Sequence, residues 1–316
     1  MAININAELI AAGTKYRKEL LAMPVAALAE LLAHMTLKTG IQGKEVGGEL
    51  LTDAELRPYR TAKDATDNTS IVPYEWETFL GDVVKEFDPN AILGTLYTEL
   101  TAKKPTEREI AKKVAMRMAE KVGEALYNNA FSAVRNAAGN ATADLFNGFD
   151  TLTAAAVVAN TVSVAKGNYV DMVVTPFTTA NVGDKLKAIW RGADKMLKKQ
   201  KSKMFVPVSI LEMYEDWYQI EHGTAPFNKE FEQTFLIGTR RKCELVPLDN
   251  MEGGDYIYLT VKENMKIGVD QESDKENVRI RECDNPKMVQ FFMMAYFGVG
   301  FDTLNKEFIK VCKYTV

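Results

Sequence analysis

Residues 106–152 read TEREIAKKVAMRMAEKVGEALYNNAFSAVRNAAGNATADLFNGFDTL, and the fold turns on how the two halves of this stretch are read. In the first half, Thr106 and Glu109 form a T-x-x-E capping box just after Pro105. Ile110, Val114, Met118, Val122, Leu126 and Ala130 then recur at four-residue spacing, with Ala115, Ala119 and Val134 beside them. That pattern predicts an amphipathic helix running to about Asn136 and closing near Gly139. Roughly thirty residues at ~1.5 Å each would reach about 45 Å, far beyond an average helix, so the element reads as a strut.

The second half, DLFNGFDTL (144–152), carries two carboxylates, an amide and a glycine, and raises the question of a ligand loop. A calcium loop needs alternating oxygen ligands and a Glu at its twelfth position; counted from Asp144, that position is Ala155. The metal reading fails on spacing. Asn147-Gly148 instead predicts a turn with φ > 0, anchored by Phe146, Phe149 and Leu152, where the chain leaves the helix.

Upstream, residues 7–21 and 24–38 predict two short helices, with Pro24 in a first turn and Gly40 as a stop. Leu28, Leu31, Leu32 and Met35 share a face. Residues 41–73 are polar and weakly patterned, which in a folded chain marks a functional or interface segment. Residues 74–100 hold short apolar groups around the turn signal FDPN at 87–90.

Downstream, YVDMVVTP (169–176) predicts a strand, and a lysine-rich helix follows from about Thr179 to Lys199. MFVPV (204–208) predicts a further strand, with Ser209 capping the helix ILEMYEDWYQI. KCELVPL, DYIYLTV, NVRIREC, MVQFFMMAYFGVGF and EFIKVCKY predict strands. In DYIYLTV, Tyr256, Tyr258 and Thr260 alternate with Ile257, Leu259 and Val261. Helices first, a mixed middle and strands last predict an α+β fold.

The totals narrow the function classes. The 316 residues are 47% hydrophobic and 26% charged, ample for a core. No apolar run approaches the roughly 20 residues that a membrane span needs. The start, MAININAELIAAG, lacks the basic and apolar regions of a signal peptide, so a cytoplasmic chain is expected. Cys243, Cys283 and Cys312 are far apart and read as reduced thiols. The net charge of −4 gives no general basic field for nucleic acid. Charge is nevertheless uneven: residues 45–90 are acid-rich, including Glu45, Glu49, Asp53 and Glu55, whereas 103–121 and 185–203 are rich in Lys and Arg.

Catalytic signatures are sparse. No phosphate-binding glycine loop, GxSxG elbow or HExxH is present. His222 follows a helix end, where a cation is favoured without chemistry, and His34 lies in an amphipathic helix. Glu212, Glu215 and Asp216 share a helix without any partner to separate their pKa values. Tyr214, Trp217 and Tyr218 read as helix packing. The basic run at 185–203 reads as a solvated face, with an acidic protein surface as its next reading. No catalytic residue, metal ligand or cofactor is assigned.

The order of elements resembles that of the major capsid proteins of tailed bacteriophages, the fold named after phage Hong Kong 97. AGNATADLFNGFDTL (138–152) resembles the family's segment after its spine helix, where a glycine-rich turn precedes a short apolar strand, so the resemblance implies such a strand here. MFVPVSILEMYEDW resembles a strand–helix pair of the axial domain, and KCELVPL with GGDYIYLTVKENMKIGVD its later strands. EFIKV stands where a terminal strand of the peripheral domain is expected. The resemblance implies an α+β, Hong Kong 97-like architecture: an N-terminal arm (1–40), an extended loop with flanking strands (41–100), the spine helix and turn of the peripheral domain (101–152), an axial domain (153–265), and C-terminal strands returning to the peripheral domain (266–316). One departure stands out: many relatives carry a long helical scaffolding segment before the arm. The roughly forty residues before the excursion are too few for one, so an uncleaved arm with any scaffolding supplied separately is expected.

Several functional expectations come with it. The protein would self-assemble through pentamers and hexamers into an icosahedral head in the host cytoplasm. It would enclose double-stranded DNA without reading its sequence, and would meet scaffolding, portal and decoration proteins but no membrane. The acid-rich loop, with Glu45, Glu49, Asp53 and Glu55, would lie on a basic spine surface of the next subunit bearing Lys112, Lys113 and Arg117. Some relatives form Lys–Asn isopeptide cross-links, for which Lys44 or Lys63 could be donors; the sequence identifies no partner, and no cross-link is assigned. An encapsulin-like compartment shares the fold and is the alternative; a soluble enzyme using acids near His222 is the second.

Overall fold

The computed structural model describes residues 28–51, 59, 70–87, 107–222, 234–269, 279–282 and 288–314. The helix expected over 7–21, the Thr106 cap, the FDPN turn beyond Phe87 and Cys283 lie outside those residues.

In chain order the elements are α1 (Ala29–His34), β1 (Thr36–Thr39), β2 (Lys44–Leu51), β3 (Ser70–Glu77), β4 (Phe79–Phe87) and α2 (Glu107–Asn129). Next come α3 (Phe149–Val158), β5 (Tyr169–Asp171), α4 (Val182–Arg191), α5 (Lys195–Lys199), β6 (Ser202–Pro207) and α6 (Val208–His222). The remainder is β7 (Thr234–Phe235), β8 (Cys243–Leu248), β9 (Tyr256–Thr260), β10 (Met265–Val269), β11 (Arg279–Glu282), β12 (Val289–Phe301) and β13 (Ile309–Lys313).

A six-stranded mixed sheet runs β5-β13-β9-β6-β8-β7. β6 and β8 are parallel, and the chain crosses between them through α6. Alternation along the strands feeds two cores. Phe205, Tyr256, Tyr258, Ile309 and Val311 face one side, with α1, the end of α2 and the second sheet. Met204, Val206, Ile257, Leu259 and Cys312 face the other, under α4, α5 and α6. The period-two pattern of DYIYLTV therefore separates two interiors rather than core from solvent, and all five residues of β9 are buried. Cys243 and Cys312 are buried free thiols.

The second sheet is built on the 13-residue β12. β4 pairs antiparallel along it from Phe79↔Phe297 to Phe87↔Val289. On its other edge β11 takes residues 289–292 and β10 takes 297–301, and β1 adds in parallel outside β10. β2 and β3 form a separate antiparallel ribbon, from Lys44↔Glu77 to Leu51↔Ser70.

Several expectations are corrected. The helix over 24–38 ends at His34 within the described residues, and Thr36–Thr39 is a strand because β10 offers it an open edge. The helix expected to Asn136 stops at Asn129, so its 23 residues span about 35 Å at ~1.5 Å each. The chain breaks there because the next carbonyls are needed elsewhere. Ala130, Phe131 and Ala133 accept from the backbone N–H groups of Phe149, Asp150 and Gly148 at 3.2, 3.1 and 2.8 Å. These donors are the otherwise orphaned amides at the start of α3, so one helix end caps the next.

The segment after Gly148 is a helix, not a short strand. Gly148 itself has φ −72°, so the predicted left-handed turn is absent. Glycine is needed there for another reason: a Cβ would lie 2.2 Å from the Phe131 carbonyl oxygen. The strand expected over 169–176 is limited to Tyr169–Asp171, and the long lysine-rich helix is two, α4 and α5. Asp194 caps α5 by accepting from Met196 N at 2.8 Å. Ser209 lies inside α6 rather than capping it; its N–H and hydroxyl donate to Glu252 at 2.8 and 3.1 Å. In the C-terminal run, β10, β11 and β12 belong to the second sheet, and β13 lies between β5 and β9 in the six-stranded one.

Candidate functional site

The residues of the enzyme reading stay on one surface. Glu212, Asp216 and His222 are exposed on α6, and the His222 ring packs on Tyr218 at 4.6 Å and Trp217 at 6.0 Å. Tyr214 and Trp217 are buried in the helical core, as their spacing predicted. A cavity of about 450 Å³ is lined by Gln200, Val261, Glu263, Asn264, Asp302, Thr303 and Phe308, with no residue from α6. Among the described residues, this cavity draws in neither those acids nor His222.

Three other places concentrate chemistry. The first is the corner after α2. Phe146 packs on Phe297 at 4.8 Å, and Phe149 on Phe301 at 5.2 Å and on Phe131 at 5.3 Å. Tyr258 closes the group against Phe131 and Phe301. Asn147 Oδ1 accepts from Arg135 N at 2.9 Å, and the Arg135 guanidinium lies 4.3 Å over the Phe79 ring. The expected anchors Phe146 and Phe149 are both fully buried.

Beneath the rings, the Tyr258 hydroxyl donates to Asp150 Oδ1 at 2.7 Å and lies 3.0 Å from Thr153 Oγ1. Burial pushes the Asp150 carboxyl up to about 6, against the lowering effect of the hydrogen bonds from Tyr258 and the Asp255 backbone. Sequence reasoning treated Asp150 as one of two idle carboxylates. Its significance depends on Tyr258, 108 residues away, and no local pattern announces that pairing.

The second place is the root of the β2–β3 ribbon. Trp76 is buried where a Cβ on Gly268 would lie 2.5 Å from its ring and one on Gly300 would lie 2.8 Å from its Cβ. A side chain on Gly298 would meet the Glu77 carbonyl oxygen at 2.3 Å. Three glycines thus open a cradle on the second sheet in which the ribbon's base is seated. The Thr78 hydroxyl ties the exit, bonded to Ile41 O at 3.1 Å and accepting from Gly43 N at 3.0 Å. Farther out, Val46 and Ile71 are exposed.

The third place joins α1 to the six-stranded sheet. The Lys203 ammonium has only protons to give, so at 2.7 Å it donates to Nδ1 of His34, which must then be unprotonated. Glu244 Oε2 stands 3.5 Å from the same ammonium. Burial, then Lys203, hold the His34 pKa below its ordinary value.

The expected contact residues fare unevenly. Glu45 is engaged by Lys38, and its Oε2 is buried without a partner among the described residues. Arg117 is paired within α2, with Glu120 at 2.9 Å and Glu124 at 3.5 Å. Lys44 is matched by Glu75 and, at 3.8 Å, by Glu77 across the ribbon. Lys112 and Lys113 lie on α2, and Glu49 on β2, but their side chains are outside the described set. So are Asp53, Glu55 and Lys63 entirely.

No protein-family model and no curated protein matches the chain. Solved structures do match it. The cyanophage A-1(L) capsid is similar with a TM-score of 0.57 and 15% identity, over 93% of each chain. The satellite phage P4 procapsid that includes the size determination (Sid) protein gives 0.53 and 11%, over 92% of this chain and 98% of that one. The holo-SrpI encapsulin complex from Synechococcus elongatus PCC 7942 gives 0.50 and 14%, over 90% and 86%. With its mixed sheets, its long helix and matches over nearly the whole length, the chain has the fold of the phage major capsid proteins, an α+β fold that encapsulin shells share.

Proposed function

We propose that this chain is the major capsid protein of a tailed phage or prophage, a structural subunit without a catalytic step that assembles into a closed icosahedral head. The observation that carries this reading is end-to-end similarity to phage capsid and procapsid subunits, covering 92% and 98% of the two chains for the P4 procapsid. The β2–β3 ribbon serves as the extended loop, α2 as the spine helix, and residues 153–265 as the bulk of the axial domain. Self-association is the principal interaction. Scaffolding, portal and decoration proteins are further partners, and packaged DNA is enclosed. Assembly takes place in the host cytoplasm and the product is the virion.

Contacts between the acidic loop and the next spine helix rest on Glu49, Asp53 and Glu55 meeting Lys112 and Lys113. Glu45 and Arg117 contribute less, because each already has a partner in its own subunit. The expressed protein should form regular shells or capsomers in negative-stain electron microscopy. A compact monomer at every concentration would overturn the reading. The similarity to an encapsulin gives a second reading, a bacterial compartment around a protein cargo. Particles purified from the native host after nuclease treatment decide between them: protected DNA marks a phage head, and a co-purifying enzyme marks a compartment.

A further inference from the structure

The parallel register of β6 and β8 brings two basic segments together that are forty residues apart in sequence. Ser202 pairs with Cys243 in the ladder, Ser202 N donates to Lys242 O at 2.9 Å, and Lys242 Nζ donates to Lys199 O at 3.2 Å. Residues 191–203 and 238–244 therefore form one corner of the six-stranded sheet. Its cations are Arg191, Lys195, Lys198, Lys199, Lys201 and Lys203 from the first segment and Arg240, Arg241 and Lys242 from the second, against two carboxylates, Asp194 and Glu244. Both carboxylates are engaged, Asp194 as the cap of α5 and Glu244 beside Lys203.

The geometry points to a surface for the phosphate backbone of double-stranded nucleic acid, formed where α5 meets the 239–242 turn. Arg191, Lys195, Lys199, Lys201 and Arg240 are exposed on it. Lys198 and Lys242 are folded back on the carbonyls of Arg191 and Lys199, which fixes the frame from which the others project. The 239–242 turn is closed by Lys242 N donating to Thr239 O at 3.2 Å, and it passes through the left-handed region at Arg240 and Arg241, φ 55° and 59°. Phosphate contacts need cations spread over a surface, whereas a protein partner is normally anchored by aromatic or aliphatic side chains at the centre of the patch. Among the described residues of the corner Met196 is the one exposed large apolar side chain. The carboxylates of Glu263 and Asp302, in the cavity that Gln200 also lines, bound the surface on one side. Binding here is sequence-independent and sensitive to salt, so it is compatible with a chain of net charge −4.

This inference stands apart from the shell reading, because a chain that forms no shell would still show it, and a shell that ignores DNA would overturn it alone. The test uses the full unassembled chain and a short mixed-sequence DNA duplex, followed by fluorescence anisotropy from about 50 to 200 mM salt. Wild-type protein should bind with a log–log salt slope of about −3 to −4, corresponding to about four phosphates. Reversing Lys195→Glu with Lys201→Glu should weaken binding about tenfold or more at low salt and flatten the slope by about two. The charge-matched control Lys85→Glu with Lys166→Glu, on residues exposed elsewhere, should change neither by as much. Absence of duplex binding, equal loss in both variants, or tighter binding of poly-glutamate than of the duplex would each overturn the proposal. Thermal melting of both variants establishes that the comparison is between folded proteins.

Discussion

The corner at 130–150 and the β2–β3 ribbon are both places where the chain changes direction, and they are built on opposite principles. The corner is closed on every side: carbonyls of one helix end meet amides of the next, rings pack on rings, and Gly148 leaves no room for a methyl group. Among the described residues the ribbon is secured at its root, by Trp76, Thr78 and the Lys38–Glu45 pair, and beyond that its two strands pair with each other. An isolated two-stranded ribbon is marginal in water. The contrast separates a part of the fold that closes on itself from one that is held at a single end.

That contrast can be broken by substitution. The largest effect belongs to Gly148→Ala, whose Cβ cannot coexist with the Phe131 carbonyl. The helix-to-helix cap must open, with a loss of several kcal/mol, about 3–5, and poor soluble yield. A melting temperature within a few degrees of wild type would show that the corner is less tight than described. Trp76→Ala comes next. Emptying the glycine cradle should destabilise the chain by about 3 kcal/mol and raise hydrogen exchange in residues 44–51 and 70–77 ahead of the rest. Uniform exchange across the chain would mean that the ribbon is not held at its root.

Third is pH, acting at the corner through Asp150. Its folded pKa, about 6, lies above the ordinary 3.8, so the folded state holds a proton that the unfolded state has released. Stability is therefore greater below this window and declines as pH rises from about 4 to 6. Asp150→Asn keeps an oxygen to accept from Tyr258 and removes the ionisation. It should flatten that slope and gain about 1–3 kcal/mol at pH 7, read from urea midpoints at pH 5 and 7.5. Identical slopes in the two proteins would exclude Asp150 as the source.

His34 gives a smaller effect of opposite sign. Its folded pKa is depressed, so its contribution is present above the ordinary 6.5 and is lost as pH falls through the folded value. Acid should loosen α1 and β1 together, seen as faster exchange over 29–39 at pH 5.5 in wild type but not in His34→Gln. The smallest change in folding belongs to the ribbon. Val46→Ser with Ile71→Ser should stay within about 0.5 kcal/mol of wild type, because both side chains are exposed, yet should reduce shell yield if the ribbon pairs with a neighbour.

Much of this was legible in residue patterns. The helix at 107–129, the strands from KCELVPL onward and the burial of Phe146 and Phe149 follow from local periodicity. What escaped the sequence reading depends on distant partners. Thr36–Thr39 is a strand only because Met265–Val269 lies beside it. The end of α2 is set by amides fifteen to nineteen residues beyond the carbonyls they reach, while the apolar spacing runs on to Val134, which the structure leaves exposed. A glycine after an asparagine signals a left-handed turn by statistics, yet here it answers to a carbonyl packed against it. The candidate site was legible mainly as charge: the basic run at 185–203 was visible, but its junction with 239–242 needs the parallel register of β6 and β8.

The position of β13 has a consequence for synthesis. Ile309–Lys313 lies between β5 and β9, both of which leave the ribosome well before it. Until those five residues emerge, Tyr169–Asp171 has no neighbour and one edge of β9 stays open. The six-stranded sheet is therefore completed only after most of the chain has been made. Closure of this sheet is thus a late event of synthesis, fixed by where its strands fall in the sequence.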